Sequence, residues 1–284
     1  MGTLYIVGTP IGNLEDITQR ALRTLREVAV IACEDTRETR KLLNHFQIDT
    51  PVTSYHEHNK RTAGPRLIER LLGGDDVALV TDAGMPAISD PGEDLVRSAI
   101  EAGIPVVPVP GPTAFVTALV ASGLPTRRFV FEGFLPHKGR ERREALERLK
   151  AEERTVILYE APHRLRETLQ DLRAALGDRR AVACRELTKL YEEYVRGMLS
   201  ELIMHFEAHE PRGEFVLILD GASPEAPEAE AGPADARSLA RAVAELEAQG
   251  MDRKAAMKEV AQRLGLRKRA VYQALLEAKG EAEE

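Results

Sequence analysis

The sequence predicts an α/β protein: two α/β domains joined in tandem, followed by a helical module. Three observations carry this expectation. Short apolar runs alternate with longer stretches of helical spacing up to Ser122, the pattern of βαβ units around a mainly parallel sheet. Three of those runs end in loops rich in Gly and Pro. Past Arg127 the strand spacing changes, and past Gly221 strand patterns give way to helical ones.

In order along the chain, Leu4 to Val7 reads as a strand that ends in a Gly/Pro loop, and Asp16 to Arg26 as a helix with Ile17, Ala21, Leu22 and Leu25 on one face. Val28 to Ala32 is a second strand, followed by the polar turn Glu34-Asp35-Thr36-Arg37 and a helix from Thr39 to Phe46. Val77 to Val80 is a strand of the buried type. Glu93 to Ala102 is a helix stopped by Gly103, Val106 to Val109 another strand, and Thr113 to Ser122 another helix. Residues 1–123 form the first expected domain, with a boundary near Gly123-Leu124-Pro125. The second, 124–221, has strands at Phe129 to Phe134, Thr155 to Glu160, Ala181 to Glu186 and Glu214 to Leu219, and helices at Arg140 to Ala151 and Arg164 to Leu176. Residues 222–235 are Ala/Pro/Glu-rich and read as a linker. Residues 236–284 carry three helical patterns with a turn at Gly265-Leu266, in an arrangement like a helix-turn-helix.

A chain of 284 residues that is 43% apolar can build a sizeable core. Its net charge of −7 gives no global attraction for polyanions, so a nucleic-acid surface must be a local patch. Cys33 and Cys184 lie far apart, without metal or disulfide spacing, as expected for a reducing cytoplasm. The N-terminal apolar run is interrupted at Gly8, so no secretory signal is expected, and no stretch is long enough to span a bilayer.

The three loops are Gly8 to Leu14, Asp82 to Gly92 and Pro110 to Ala114. Any one alone reads as an ordinary strand-to-helix turn. Together, at the carboxyl ends of strands, they read as a ligand crevice. None is a dinucleotide fingerprint or a P-loop.

The string Leu4-Tyr5-Ile6-Val7-Gly8-Thr9-Pro10-Ile11-Gly12-Asn13-Leu14 resembles the N-terminus of the small-subunit ribosomal RNA methyltransferase I family, within the tetrapyrrole methylase superfamily. Further matches are Cys33 to Arg37, His56-Glu57-His58-Asn59, Asp82 to Gly92, Pro110 to Ala114 and Glu132 to Pro136. Tyr159 to Arg164, Arg185 to Lys189 and Arg212 to Phe215 complete the set, so the resemblance covers roughly residues 4–220. It implies S-adenosylmethionine held between two α/β domains, and methylation of a cytidine ribose 2′-hydroxyl in the decoding region of 16S rRNA, within the 30S subunit. It also implies a homodimer.

On that resemblance, Pro10, Asp82, Met85, Ile88, Thr113 and Ala114 are the cofactor candidates of the first domain. Tyr159, Arg185, Glu186, Leu187, Gly213, Glu214 and Phe215 are those of the second. A ribose hydroxyl is a weak nucleophile, so a base or a cation must assist it. The candidates are Asp35, Arg37, His56 and Lys189. Each has a plainer reading. Asp35 caps the following helix, Arg37 pairs with Asp35, and Lys189 is a solvated surface lysine. His56 and His58 alternate as metal ligands do, but no further Cys/His cluster accompanies them, and no metal is expected. The RNA-phosphate candidates are Lys60, Arg127, Arg128, Lys138, Arg140 and Arg143, with Arg267, Lys268 and Arg269 in the tail. The plainer reading of these runs, Arg142 included, is a solvated helix face or a bundle docked on the body. Two other functions stay open. One is a corrin or diphthamide methylase of the same superfamily; the other is a ligand-sensing regulator that binds nucleic acid.

Overall fold

The structure, a computed structural model, describes residues 1–222, 236–248 and 251–264. The chain divides into two compact units, Met1–Ala222 and Ser223–Glu284.

The first half of the larger unit runs β1 (Leu4–Val7), α1 (Gln19–Glu27), β2 (Val30–Cys33), α2 (Thr36–His45), β3 (Val52–Ser54), α3 (Lys60–Leu72), β4 (Val77–Leu79), α4 (Glu93–Glu101), β5 (Val106–Val109) and α5 (Ala114–Ser122). Its sheet has the order β3-β2-β4-β1-β5 and is parallel throughout. Side chains alternate across a strand, so a sheet covered on both faces needs apolar residues at every position. Every residue of β2 and β4 is buried. Leu4, Ile6, Val30 and Leu79 pack against Leu67 and Leu71 of α3 and Leu95 of α4. Val7, Ile31 and Ala78 pack on the other face against Ala21 and Leu25 of α1 and Leu43 of α2. The Thr18 hydroxyl accepts from the Ala21 amide and starts α1. Asp35 does the same for α2 through the Arg37 amide, so that helix begins at Thr36, three residues earlier than its apolar spacing indicates. The edge strand β3 and the helix α3 are additions to the sequence reading.

The second half runs β6 (Phe129–Phe134), α6 (Gly139–Lys150), β7 (Thr155–Glu160), α7 (Leu165–Leu176), β8 (Arg180–Arg185), β9 (Glu193–Met198), α8 (Leu199–Ala208) and β10 (Phe215–Leu219). Here β9 and α8 are the additions. The sheet order is β6-β7-β10-β8-β9, with β6 and β7 parallel and the other pairs antiparallel. One face is covered by α6, α7 and α8 through Leu149, Leu169, Leu172, Leu202 and Phe206. On the other face, Ile157, Val182, Val216 and Ile218 pack on Ala118 and Leu119 of α5. Helix α5 thus leaves the first sheet and lies on the second. That contact brings the loop tips of the first sheet toward the second.

In the smaller unit, α9 (Ala236–Ala248) and α10 (Arg253–Leu264) pair through Leu239, Val243 and Leu246 against Ala256, Met257 and Val260. The expected linker from 223 onward, the turn at Gly265-Leu266, the third helical pattern and Arg267, Lys268 and Arg269 lie outside the described residues.

Candidate active site

The three Gly/Pro loops form one continuous wall. The Thr9 amide donates to the Gly84 carbonyl at 2.9 Å and the Gly84 amide returns to Thr9 at 3.1 Å. The Thr9 hydroxyl donates to the Thr81 carbonyl at 3.1 Å. Gly8 and Gly111 touch backbone to backbone: a Cβ on Gly8 would stand 2.8 Å from the Gly111 Cα. Glycine is required there because no side chain fits between two main chains. In the second loop Ala87 and Ser89 adopt left-handed φ values of 68° and 61°. Such conformations cost energy and collect at functional sites.

These loops and the second sheet enclose a cavity of about 310 Å³. Carboxylates crowd it: Glu34, Asp82 and Asp90 from the first half, Glu160, Glu186 and Glu214 from the second. Burial raises the Asp90 carboxyl to about 6, with the Glu34 charge adding to the effect. Burial also raises Glu34, with Asp82 second, and burial is the main cause of the upward shift at Asp82. Like charges in a poorly solvated space resist ionisation, and a cation placed among them relieves that cost. Apart from Ser89, Thr113 and Lys189, the rest of the wall is apolar or aromatic, with Ile11, Met85, Ile88, Leu187, Phe134, Tyr159 and Phe215 its large members. The Tyr159 ring sits edge-on to Phe131 and Phe134, with centroids 5.0 and 5.6 Å away. Its phenol is pushed up to about 12 by burial and stays neutral.

Lys189 is where the halves meet. Its ammonium lies 3.1 Å from Glu186, and its stem crosses Gly12, where a Cβ would come within 2.7 Å of the Lys189 Cγ. Glu186 and Thr188 hold left-handed φ values of 51° and 67°, so this turn is also strained.

Of the residues singled out in the sequence, Asp82, Met85, Ile88, Thr113, Ala114, Tyr159, Glu186, Leu187, Glu214, Phe215 and Lys189 line the cavity. Pro10, Arg185 and Gly213 do not. Arg185 pairs with Glu193, and the space a Cβ of Gly213 would take is filled by the Glu186 carboxylate. Asp35, Arg37 and His56 also stand outside the lining. Asp35 caps α2 and binds Arg37 at 2.7 Å, which draws its carboxyl down to about 2. The Asp35 amide donates to the lining residue Asp82 at 3.1 Å. The His56 amide donates to Asn59, and its buried Nδ1 has no hydrogen-bond partner among the described residues. Lys60 bridges Glu57 and Asp94 at 2.8 and 2.6 Å. Arg140 pairs with Glu144 at 2.6 Å, whereas Arg127, Arg128, Lys138 and Arg143 are exposed and make no salt bridge among the described residues. Glu34, Asp90 and Glu160 are the lining carboxylates that the sequence did not single out as site residues. All three lie in strings already picked out by motif.

Three parallel-strand tips facing a second, mixed sheet across an acidic, aromatic-walled cavity define a class. The profile of the tetrapyrrole (corrin/porphyrin) methylases matches residues 3–203. Solved structures agree on the fold. Diphthine synthase superposes with a TM-score of 0.63 at 17% identity, covering 77% of this chain and 90% of its own. Uroporphyrin-III-C-methyltransferase from Thermus thermophilus gives 0.56 at 22%, covering 78% and 94%. Closer in sequence are proteins named ribosomal RNA small subunit methyltransferase I. That of Halalkalibacterium halodurans is 54% identical over 95% of this chain and 93% of its own, and that of Synechocystis is 49% identical over 98% of both. The chain belongs to the tetrapyrrole methylase family and, within it, to the ribosomal RNA small subunit methyltransferase I group.

Proposed function

We propose that this enzyme transfers a methyl group from S-adenosylmethionine to the 2′-hydroxyl of a cytidine in the decoding region of 16S rRNA. The observation that carries the reading is the cavity's composition. It pairs six carboxylates, of which Glu34, Asp82, Asp90 and Glu214 have no salt-bridge partner among the described residues, with a largely apolar, aromatic wall, beside backbone that only glycine can supply. The donor has an ammonium and a sulfonium for the former and an adenine for the latter, so the residues present fit it. A uroporphyrin-III methyltransferase of this fold has been solved with S-adenosylhomocysteine bound, which supports the same ligand class here.

When bound, the donor supplies an electrophilic methyl carbon on sulfur and leaves as a neutral thioether. The protein then has three tasks. The wall of Gly8, Gly84 and Gly111 holds the donor against the tips of β1, β4 and β5, an orientation effect. Asp90, raised toward neutral pH, is the proposed acceptor for the hydroxyl proton. Lys189 is the proposed cation beside the oxygen as its charge develops. Asp35, Arg37 and His56, outside the lining, are proposed to face the RNA. Pro10, Arg185 and Gly213 are proposed to shape the donor site without lining it.

The substrate is proposed to be the rRNA within the 30S subunit, and the enzyme a cytoplasmic homodimer. No described helix is long and apolar enough to cross a membrane. The test offers methyl-labelled donor with 30S subunits, naked 16S rRNA or a corrin precursor, followed by mapping of ribose methylation. Label at one cytidine 2′-oxygen is expected. Label on the corrin alone, or on a base, would overturn the assignment.

A further inference from the structure

The string Tyr159-Glu160-Ala161-Pro162-His163-Arg164 and the basic run His137 to Arg143 are separate in sequence but joined by a closed polar ring. Glu160, only 1% exposed, ends β7 at the cavity wall. Its Oε2 accepts from the Thr168 hydroxyl at 2.5 Å, and that hydroxyl accepts from the Arg142 guanidinium at 2.9 Å. Arg142 also donates to the Pro136 carbonyl at 3.0 Å and to Asp171 at 2.7 Å. Arg164 closes the ring. It donates to the Leu135 and Pro136 carbonyls at 2.8 and 3.3 Å, and its Nε lies 3.5 Å from Glu160. Thr168 is fully buried and Arg142 is 5% exposed.

Two guanidiniums therefore grip one carbonyl, Pro136, and both lead back to one carboxylate, Glu160. The chain they grip continues directly into the exposed His137 and Lys138 and the start of α6. Buried ion networks are seldom more stable than an apolar replacement of equal volume, so this one needs a reason other than stability. Arg142 meets three acceptors in three directions, a geometry that suits a planar fork and not an ammonium. We propose that Arg142, Thr168 and Arg164 are positioning residues that hold an RNA-facing segment, His137, Lys138 and the first turn of α6, in fixed register with the donor pocket. The proposal rests on the reading of that pocket as the donor site.

The test uses the full-length enzyme, with S-adenosylhomocysteine affinity by calorimetry, KM and kcat on 30S subunits, and melting temperature. Thr168→Val keeps the shape and removes the hydroxyl at the centre of the ring. It is expected to weaken S-adenosylhomocysteine binding about fivefold and raise KM for 30S about tenfold. Thr168→Ser should restore both to within roughly twofold, because it returns the hydroxyl. Arg142→Lys keeps the charge and loses the fork, and Glu160 keeps Thr168 and Arg164 as partners. It should raise KM for 30S about tenfold while product affinity stays within roughly twofold. Variants that lower the melting temperature but leave affinity and KM at wild-type values would show a purely structural ring and overturn the proposal. So would a failure of Thr168→Ser to rescue. Wild-type enzyme that binds no S-adenosylhomocysteine would overturn the reading of the pocket, and this proposal with it.

Discussion

The two halves of the Met1–Ala222 unit build one pocket by opposite means. The first works with main chain: glycines in contact, left-handed turns at Ala87 and Ser89, and the half-buried carboxylates Glu34 and Asp90. The second works with side chains: the Phe131, Phe134 and Tyr159 rings and the Glu160 ring of ions. Main-chain contacts have no slack, whereas a side-chain wall can repack around a small change. The site should therefore be brittle on its first side and forgiving on its second.

Gly8→Ala should have the largest effect. Its Cβ would stand 2.7 Å from the Met85 sulfur and 2.8 Å from the Gly111 Cα. The sulfur can swing aside, but the backbone cannot without moving the β5 loop. Affinity for S-adenosylhomocysteine should fall by roughly 100-fold or more. Tyr159→Phe, its counterpart in the second half, should cost less than about fivefold, since the ring contacts remain. Calorimetry on both proteins checks the order. The reverse order would mean that side chains, not backbone shape, set donor binding.

A second prediction separates the halves by pH. In the second half, burial holds Tyr159 and Cys184 at about 12, so neither titrates near neutrality. In the first, burial raises Asp90 to about 6 from 3.8. A carboxyl raised on folding lends stability that is complete below its unfolded pKa and is lost as pH rises through the folded one. The free enzyme should therefore lose stability between pH about 4 and 6.5 through this group, and Asp90→Asn should flatten that limb. Binding of the cationic donor has the opposite slope. It favours ionised Asp90, so it should weaken by up to about tenfold from pH 7 to 5 in wild type and by less in Asp90→Asn. Denaturant melts and calorimetry across that range read both slopes. A donor affinity equally pH-dependent in both proteins would remove Asp90 from the pocket's chemistry.

The halves also differ in how far their sequence speaks. The parallel sheet is legible because strands buried on both faces are unbroken apolar runs, as in Val30 to Cys33. Its edge strand β3 is three residues, two half-buried and Ser54 exposed, too short for any period. Helix α3 contains Gly64 and Pro65, which read as breakers; burial of Leu67 and Leu71 outweighs them. In the second half, α8 does follow helical spacing at Leu199, Leu202 and Phe206, but β9 is half-exposed along its length and hides the connection. The loops that form the pocket are readable from their glycines. The acidity of the pocket is not, because a carboxylate in a loop looks solvated until a second loop covers it, as happens to Glu34 and Asp90. Arg142 is the instructive intermediate case. It sits beside Arg143 in a basic run, yet it shares the helical face of Ala145, Leu146 and Leu149, and that spacing already points it inward.

The smallest expected effects concern RNA, and they extend the contrast to the surface. In the first half the candidate cations are already engaged: Lys60 by Glu57 and Asp94, and Arg37 by Asp35. In the second, Lys138 and Arg143 are exposed without a salt-bridge partner among the described residues, and they stand on the segment the buried ring holds in place. A cation that meets a phosphate without first leaving a carboxylate keeps the full gain from counterion release. Arg143→Ala should therefore raise KM for 30S only a few-fold, by about two- to fivefold, and reduce the slope of log KM against log salt by about one. Lys60→Met, which removes an engaged cation, should leave that slope unchanged. Steady-state rates on 30S subunits over a range of potassium concentrations give both slopes. Should Lys60→Met flatten the dependence and Arg143→Ala leave it intact, the RNA-facing surface would belong to the first half, and the basic run after Pro136 would be no more than a solvated face of α6.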